Sequence, residues 1–160
     1  MKPLTNTLPK DVLMEIVRQE NFKRTTISFY RYVHIEEPEK LRDDLYIAWK
    51  KIGVLGRIYV AKEGINAQLN IPEHNMNEFR NSVNSFNEFK DVLFKIGITE
   101  NGISFWKLTI IVKKFILADG LPHNEYDVTN VGTHLNAKEF NKAINNGALV
   151  VDMRNNYESD

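Results

Sequence analysis

The sequence predicts an α+β fold, a ferredoxin-like plait in which an antiparallel sheet carries two helices on one face. The order of periodic segments reads strand, helix, strand, strand, helix, strand, with one further strand, which is a split β-α-β pattern. The strand segments alternate apolar and polar residues. The two helical segments each carry one apolar stripe, as expected when both pack on the same side of a sheet.

The first ten residues, MKPLTNTLPK, hold two prolines and no periodicity, and are expected to be mobile. Asp11 is placed to cap a short helix with Leu13, Ile16 and Val17 as its stripe. Together, residues 1–20 form an N-terminal segment ahead of the main domain. Thr25 to Ile35 (TTISFYRYVHI) is the strongest strand, being mostly β-branched and aromatic. Alternation puts Ile27, Phe29, Val33 and Ile35 on one face and Ser28, Tyr30, Tyr32 and His34 on the other. Arg31 falls on the apolar face, which predicts a bulge, a strand end or a partner charge.

Pro38 opens a helix to about Ile52, with Leu41, Leu45, Ala48, Trp49 and Ile52 as its stripe and Gly53 as its stop. Gly56 to Ala61 and Ile65 to Ile71 then form a hairpin around Lys62-Glu63-Gly64, where Gly64 can take a positive φ. Ile58, Val60, Ile65, Ala67, Leu69 and Ile71 point inward; Asn66, Gln68 and Asn70 point outward. A second helix covers about Asn75 to Ser85, with Met76, Phe79, Val83 and Phe86 inward. Strands at about Leu93 to Thr99 and Lys107 to Ile116 follow, separated by a turn at Glu100-Asn101-Gly102.

Residues 21–118 thus make up the plait. Residues 119–132 are rich in turn formers and read as a linker. From 133, Asn136 caps a helix from Ala137 to about Ile144, with Phe140 and Ile144 inward, and Asn146-Gly147 ends it. ALVVDM (148–153) is a continuous apolar run, the pattern of a strand buried on both faces of a parallel sheet.

Composition narrows the function. The 160 residues carry 21 basic and 21 acidic side chains and no cysteine. Disulfides, thiolate metal sites and cysteine nucleophiles are therefore excluded for this sequence. The balanced charge argues against a generally basic nucleic-acid binder, and no DNA partner is expected. No apolar run reaches the roughly 18 residues that span a bilayer, and the N-terminus lacks an apolar signal stretch. No membrane partner is expected, and the default location is cytoplasmic. His34, His74, His123 and His134 lack metal-ligand spacing, so no metal is expected. No glycine-rich phosphate loop and no nucleophile elbow is present.

The outward sheet face collects Tyr30, Tyr32, His34, Arg57, Tyr59, Asn66, Gln68, Asn70, Lys107, Thr109 and Lys113. Rings, amides and cations together are what a single-stranded RNA platform uses, since bases stack on rings and cations hold phosphates. A simply solvated polar face, or a face that docks on another domain, fits the same pattern. Residues 93–117 carry Lys95, Lys107, Lys113 and Lys114 against Glu100, and Lys62 in the hairpin turn is expected nearby. This basic cluster suits phosphate, but it also suits a guarded strand edge. The RNA-contact candidates are Tyr30, Tyr32, Arg57, Lys62, Asn66, Lys107, Lys113 and Lys114. Acylphosphatases share this plait and cradle a phosphate after the first strand. Here that position reads HIEEPEK, and Glu36, Glu37 and Glu39 would repel the anion, so that activity is rejected.

The stretches RTTISFYRYVHI (24–35), GRIYVAKEGINAQL (56–69), ISFWKL (103–108), ADG (118–120), NVGTHLNAKEFN (130–141) and VVDMRNNYE (150–158) resemble the rhodanese-related tRNA uridine hydroxylase family. The resemblance implies an acylphosphatase-like plait followed by an α/β rhodanese domain, of which 133–160 would be the truncated start. It implies oxygen-dependent hydroxylation of the wobble uridine to 5-hydroxyuridine, with molecular oxygen as co-substrate and a catalytic cysteine beyond the residues present. Asp152, Arg154, Tyr157 and Glu158 match the rhodanese opening motif and would support its active-site loop. No catalytic residue and no cofactor is then expected in this chain, which alone should be inactive. Its partners would be the tRNA anticodon stem-loop and the rhodanese domain in cis. A rhodanese-type sulfurtransferase and a non-catalytic interaction domain are the alternatives.

Overall fold

A computed structural model describes residues 4–97, 104–116, 127 and 130–152. The chain divides into two compact units, residues 1–129 and 130–160. The first contains α1 (Lys10–Arg18), β1 (Arg24–Tyr32), α2 (Pro38–Lys51), β2 (Leu55–Ala61), β3 (Gly64–Pro72), α3 (Met76–Ser85), β4 (Lys95–Ile96) and β5 (Leu108–Val112). The strands form one sheet in the order β4-β1-β3-β2-β5.

The first four sheet positions reproduce the antiparallel plait. β1 pairs with β3 over nine residues, from Arg24 opposite Pro72 to Tyr32 opposite Gly64. β2 also runs antiparallel to β3, and β4 antiparallel to β1. The purely antiparallel expectation is corrected at β5, which pairs parallel with β2. The chain leaves β4 on one edge and returns as β5 on the other, and this long crossover brings it back in the direction of β2. The two last strands are also shorter than expected; residues 98–103, including the Glu100-Asn101-Gly102 turn, lie outside those described.

The core follows the alternation. Ile27 and Phe29 of β1, Ile58 and Val60 of β2, Ile65, Ala67, Leu69 and Ile71 of β3, and Leu108 and Ile110 of β5 are buried. Leu41, Leu45 and Trp49 of α2 and Phe79 and Val83 of α3 pack on them in one cluster. Each buried Val, Leu, Ile or Phe among them contributes roughly 1.5–3 kcal/mol. Phe29, Trp49, Phe79 and Phe94 form its aromatic centre, with ring centroids 5.2–6.5 Å apart. The Trp49 indole N–H donates to Ser82 Oγ at 3.2 Å.

Two local expectations change, and one is decided. α1 begins at Lys10 behind Pro9, so Asp11 lies inside the first turn and is not the cap. Of its stripe only Leu13 is buried; Ile16 is half exposed. Of the three readings offered for Arg31, a bulge, a strand end or a partner charge, the strand end is the one found. Its register with Ile65 is regular, one residue from the end of β1, and its guanidinium donates to the Lys90 carbonyl. Beyond that end, the Val33 and Ile35 amides donate to the Glu63 and Lys62 carbonyls, both at 2.9 Å. The buried Glu63 carboxylate accepts from the Ile116 amide at 2.7 Å. The hairpin turn therefore anchors both the exit of β1 and the chain after β5.

In the second unit, α4 (Ala137–Asn145) starts with a full capping box between Asn136 and Glu139. Phe140 and Ile144, expected inward, are exposed. Residues 148–152 are exposed and not in a strand, which corrects the doubly buried strand. A strand exists through its ladder, and no described residue pairs with this one.

Gly64 adopts φ +147°, and a Cβ there would collide with the Arg31 carbonyl oxygen. Gly64→Ala is therefore expected to cost more than about 3 kcal/mol. Urea denaturation of the variant measures this; an unchanged midpoint would refute the close approach of β1 and β3 there.

Candidate functional site

The face of the sheet turned away from α2 and α3 carries two transverse rows, set by strand register. One runs Lys95, Ser28, Gln68, Arg57, Thr109; the other runs Tyr30, Asn66, Tyr59, Ile111. Neighbours in a row are spaced at about 4.8 Å, and the rows lie about 7 Å apart. Tyr30, Gln68, Arg57 and Lys95 are exposed; Tyr32, Tyr59, Asn66 and Thr109 are half-buried. The Tyr30 and Tyr32 rings meet edge to face at 6.4 Å. Lys95 Nζ sits 5.7 Å from the Tyr30 ring centre, and Lys113 Nζ sits 5.4 Å from that of Tyr59. Tyr30 and Tyr59 thus each have an ammonium over the ring.

The expected basic cluster is rearranged. Lys62, Lys113 and Lys114 do line one cleft of about 690 Å³, but Glu36, Glu37 and Glu39 line it too, along with Lys40. Four lysines face three glutamates, so the cleft is close to neutral. Lys107 is not part of it. Lys107 precedes β5 and Lys113 follows it, about 20 Å away along the strand. Lys107 instead lines a cavity of about 210 Å³ with Arg57, Phe105, Trp106 and Thr109. His34 lies off the sheet face, in a second cleft with Glu36, Glu37, Asp44 and Glu88. Of the rhodanese-motif residues, Asp152 is exposed; Arg154, Tyr157 and Glu158 lie outside the described residues.

Asn70, expected in the open, is buried. It lines a cavity of about 610 Å³ together with Val17 of α1, Thr26 of β1, and Ser104 and Phe105. Since Thr26 and Asn70 belong to the outward face, α1 and the Ser104–Lys107 segment cover that end of it. Lys10 Nζ lies 4.7 Å from the Trp106 ring centre and ties the two covering pieces together. The sequence offered a partial signal, an aromatic pair ahead of β5, but nothing that said which face it would meet. Beneath the cavity, Arg24 makes a bidentate pair with Glu20 at 2.6 and 2.7 Å and donates to the Gly53 and Asn70 carbonyls at 2.9 and 3.1 Å. The Asn70 amide nitrogen donates to Thr26 Oγ at 3.2 Å. Its Oδ1 is the one buried side-chain polar atom without a partner among the described residues. Among those residues, no three His, Asp or Glu side chains converge as metal ligands.

This sheet, from β1 to Ile116 just after β5, coincides with a known domain. Residues 24–116 match the model of the UPF0176 acylphosphatase like domain, which is more than half of the chain. The chain belongs to that family. It is also 52% identical, over 99% of its length, to a tRNA uridine(34) hydroxylase of Leptospira interrogans. It is 41% identical to the protein of the same name from Escherichia coli K12, and 40% identical to that from Escherichia fergusonii. It spans 44–46% of the length of these curated relatives, as their N-terminal portion. No helix among the described residues is long and apolar enough to cross a membrane.

Replacing Glu20 with Ala strips Arg24 of its carboxylate while leaving the guanidinium half enclosed. The expected loss is about 1–3 kcal/mol. Urea unfolding of Glu20→Ala tests it, and a loss below about 0.5 kcal/mol would show that Arg24 is held by the carbonyls alone.

Proposed function

We propose that this chain is the RNA-handling N-terminal part of an oxygen-dependent tRNA uridine(34) hydroxylase, and that its outward sheet face receives the anticodon stem-loop. The observation that carries the reading is the row Tyr30–Asn66–Tyr59 with an ammonium over each ring. The names of the curated relatives agree with it.

The energetics favour exchange of lysine for base. An exposed cation–π contact is worth about 0.5–1 kcal/mol. A base stacked on the same ring is worth about 1–3 kcal/mol. An incoming base therefore displaces the ammonium, and the flexible lysine stem swings to the phosphate beside it. Asn66, Gln68 and Arg57 lie between the rings and offer donors and acceptors to base edges. Lys62 and Lys114 extend the backbone contacts at one end of the sheet, and Lys107 at the other.

Hydroxylation is assigned to a rhodanese-type domain in cis, with molecular oxygen as co-substrate, in the cytoplasm. Asp152, Arg154, Tyr157 and Glu158 would support that domain. The present residues bind and orient RNA, and alone they turn over no uridine.

The test is titration of an isotope-labelled chain with an anticodon stem-loop. Amide shifts are expected at Tyr30, Asn66, Tyr59 and Lys113. Tyr30→Ala is expected to weaken binding about 5- to 150-fold. Lys113→Ala is expected to weaken all sequences alike and reduce the salt slope by about 1. Binding untouched by both variants would remove the platform.

A further inference from the structure

We infer that Arg57 and Gln68 read the edge of the base stacked on Tyr59, and that they select bases with a carbonyl beside a ring N–H, uracil and guanine, over the amino bases cytosine and adenine. This rests on the RNA-handling reading and adds to it the kind of base that one position of the platform accepts.

The sheet sets the pair. Arg57 and Tyr59 are two residues apart on β2 and both face outward, so about 7 Å separates them along the strand. Gln68 lies opposite Arg57 on β3, and Asn66 lies opposite Tyr59. A base lying over the Tyr59 ring therefore turns one side toward Arg57 and Gln68. A hydrogen bond covers about 3 Å of the gap, and the half-width of the base covers the rest. Both side chains are exposed, and among the described residues neither has an ion-pair or hydrogen-bond partner. The two outward rows hold no Asp or Glu, although the chain has 21 of them. A guanidinium in mid-sheet without a carboxylate is open to the acceptors of a ligand.

The donor pattern then fixes the choice. A guanidinium has five N–H donors and no acceptor. It bonds the O4 of uracil or the O6 of guanine, and it has nothing to offer the amine that cytosine and adenine carry at that place. An amine set against it leaves donors facing donors, which costs more than a contact merely lost. Beside the carbonyl, uracil and guanine present a ring N–H, which the Gln68 carbonyl accepts. Gln68 alone would suit either class of base by turning its amide, so the choice falls to Arg57. The other ring lacks such a filter. Tyr30 has Ser28 two residues before it, opposite the same Gln68, and both of these donate and accept. Lys95 sits over that ring and gives way to the incoming base. The platform thus has one selective and one permissive position.

The test titrates the isotope-labelled 160-residue chain with tetranucleotides of uridine, cytidine, inosine and adenosine, for wild type, Arg57→Gln and Arg57→Lys. Inosine carries the carbonyl and ring N–H of guanine. Uridine against cytidine, and inosine against adenosine, compare bases of equal ring size, so stacking largely cancels. Equal phosphate counts cancel the salt dependence. Wild type is expected to bind the carbonyl member of each pair about 5- to 150-fold tighter. Arg57→Gln, which accepts as well as donates, is expected to bring both ratios close to 1 while the Tyr30 and Tyr59 amide shifts persist. Arg57→Lys, a donor without the planar fork, keeps a reduced preference. Arg57 is exposed, so thermal melts of both variants are expected to match wild type. Equal binding within each pair by wild type, with shifts along the Tyr30–Tyr59 row, overturns the edge reading and leaves the platform standing. Ratios that survive Arg57→Gln overturn the assignment to Arg57. If no tetranucleotide shifts the row, the platform falls and the edge reading falls with it.

Discussion

The nine-residue antiparallel register between β1 and β3 is the constraint on which the rest of the molecule depends. Side-chain direction in a strand has period two, so a slip of one residue would send every residue of β1 to the opposite face. Ile27 and Phe29 would leave the aromatic core, and Tyr30 and Ser28 would enter it. Gly64 fixes the end of that register, because only a residue without Cβ allows the turn to lie against the Arg31 carbonyl. The same turn accepts hydrogen bonds from Val33 and Ile35, and through Glu63 it holds Ile116. One glycine-limited hairpin thus sets the core, the outward rows and the exit of the chain.

The outward face is the product of two competing needs. A sheet with helices on one side only must keep the other side polar or cover it. Here both solutions are used on one face. At the Asn70 end, α1 and the Ser104–Lys107 segment cover it; in the middle, rings and amides remain open. The covered end leaves a cavity, because a nine-residue helix with one fully buried side chain is too short to fill the space with apolar groups. The partly buried Arg24–Glu20 pair fills part of that end with charge. Such a pair gives little net stability compared with apolar packing, but it holds a fixed geometry.

Most of the plait was legible because its signals are local and periodic. The stripe Leu41–Leu45–Trp49 and the alternation through Ile65–Ile71 read directly as helix and strand, and both are buried as expected. What could not be read was pairing between distant segments. Nothing in LTIIV says whether it lies parallel or antiparallel to β2. Nothing in SFWKL says that it shields Asn70. The basic cluster was partly legible: Lys62, Lys113 and Lys114 do meet, but so do Glu36, Glu37 and Glu39, whose approach depends on how the loop after β1 folds back. Phe140, Ile144 and the ALVV run carry strong apolar patterns and are nevertheless exposed. Burial requires a partner surface, and periodicity states only the wish for one.

Charge balance argues for how such a face would work. A surface that meets single-stranded RNA through about three lysines neutralises about three phosphates, and its affinity falls roughly 20-fold between 50 and 200 mM salt. That is a shallow dependence beside those of strongly basic binders. Electrostatics then supplies little of the holding energy, and with Lys62, Lys113 and Lys114 opposed by glutamates it supplies less still. The discrimination has to come from rings and amides at fixed positions. Fixed positions are what the sheet provides: Tyr30, Asn66 and Tyr59 sit on three adjacent strands whose spacing is set by backbone hydrogen bonds and does not depend on the ligand. Under the proposed RNA-handling role, a domain built this way would trade capture for placement.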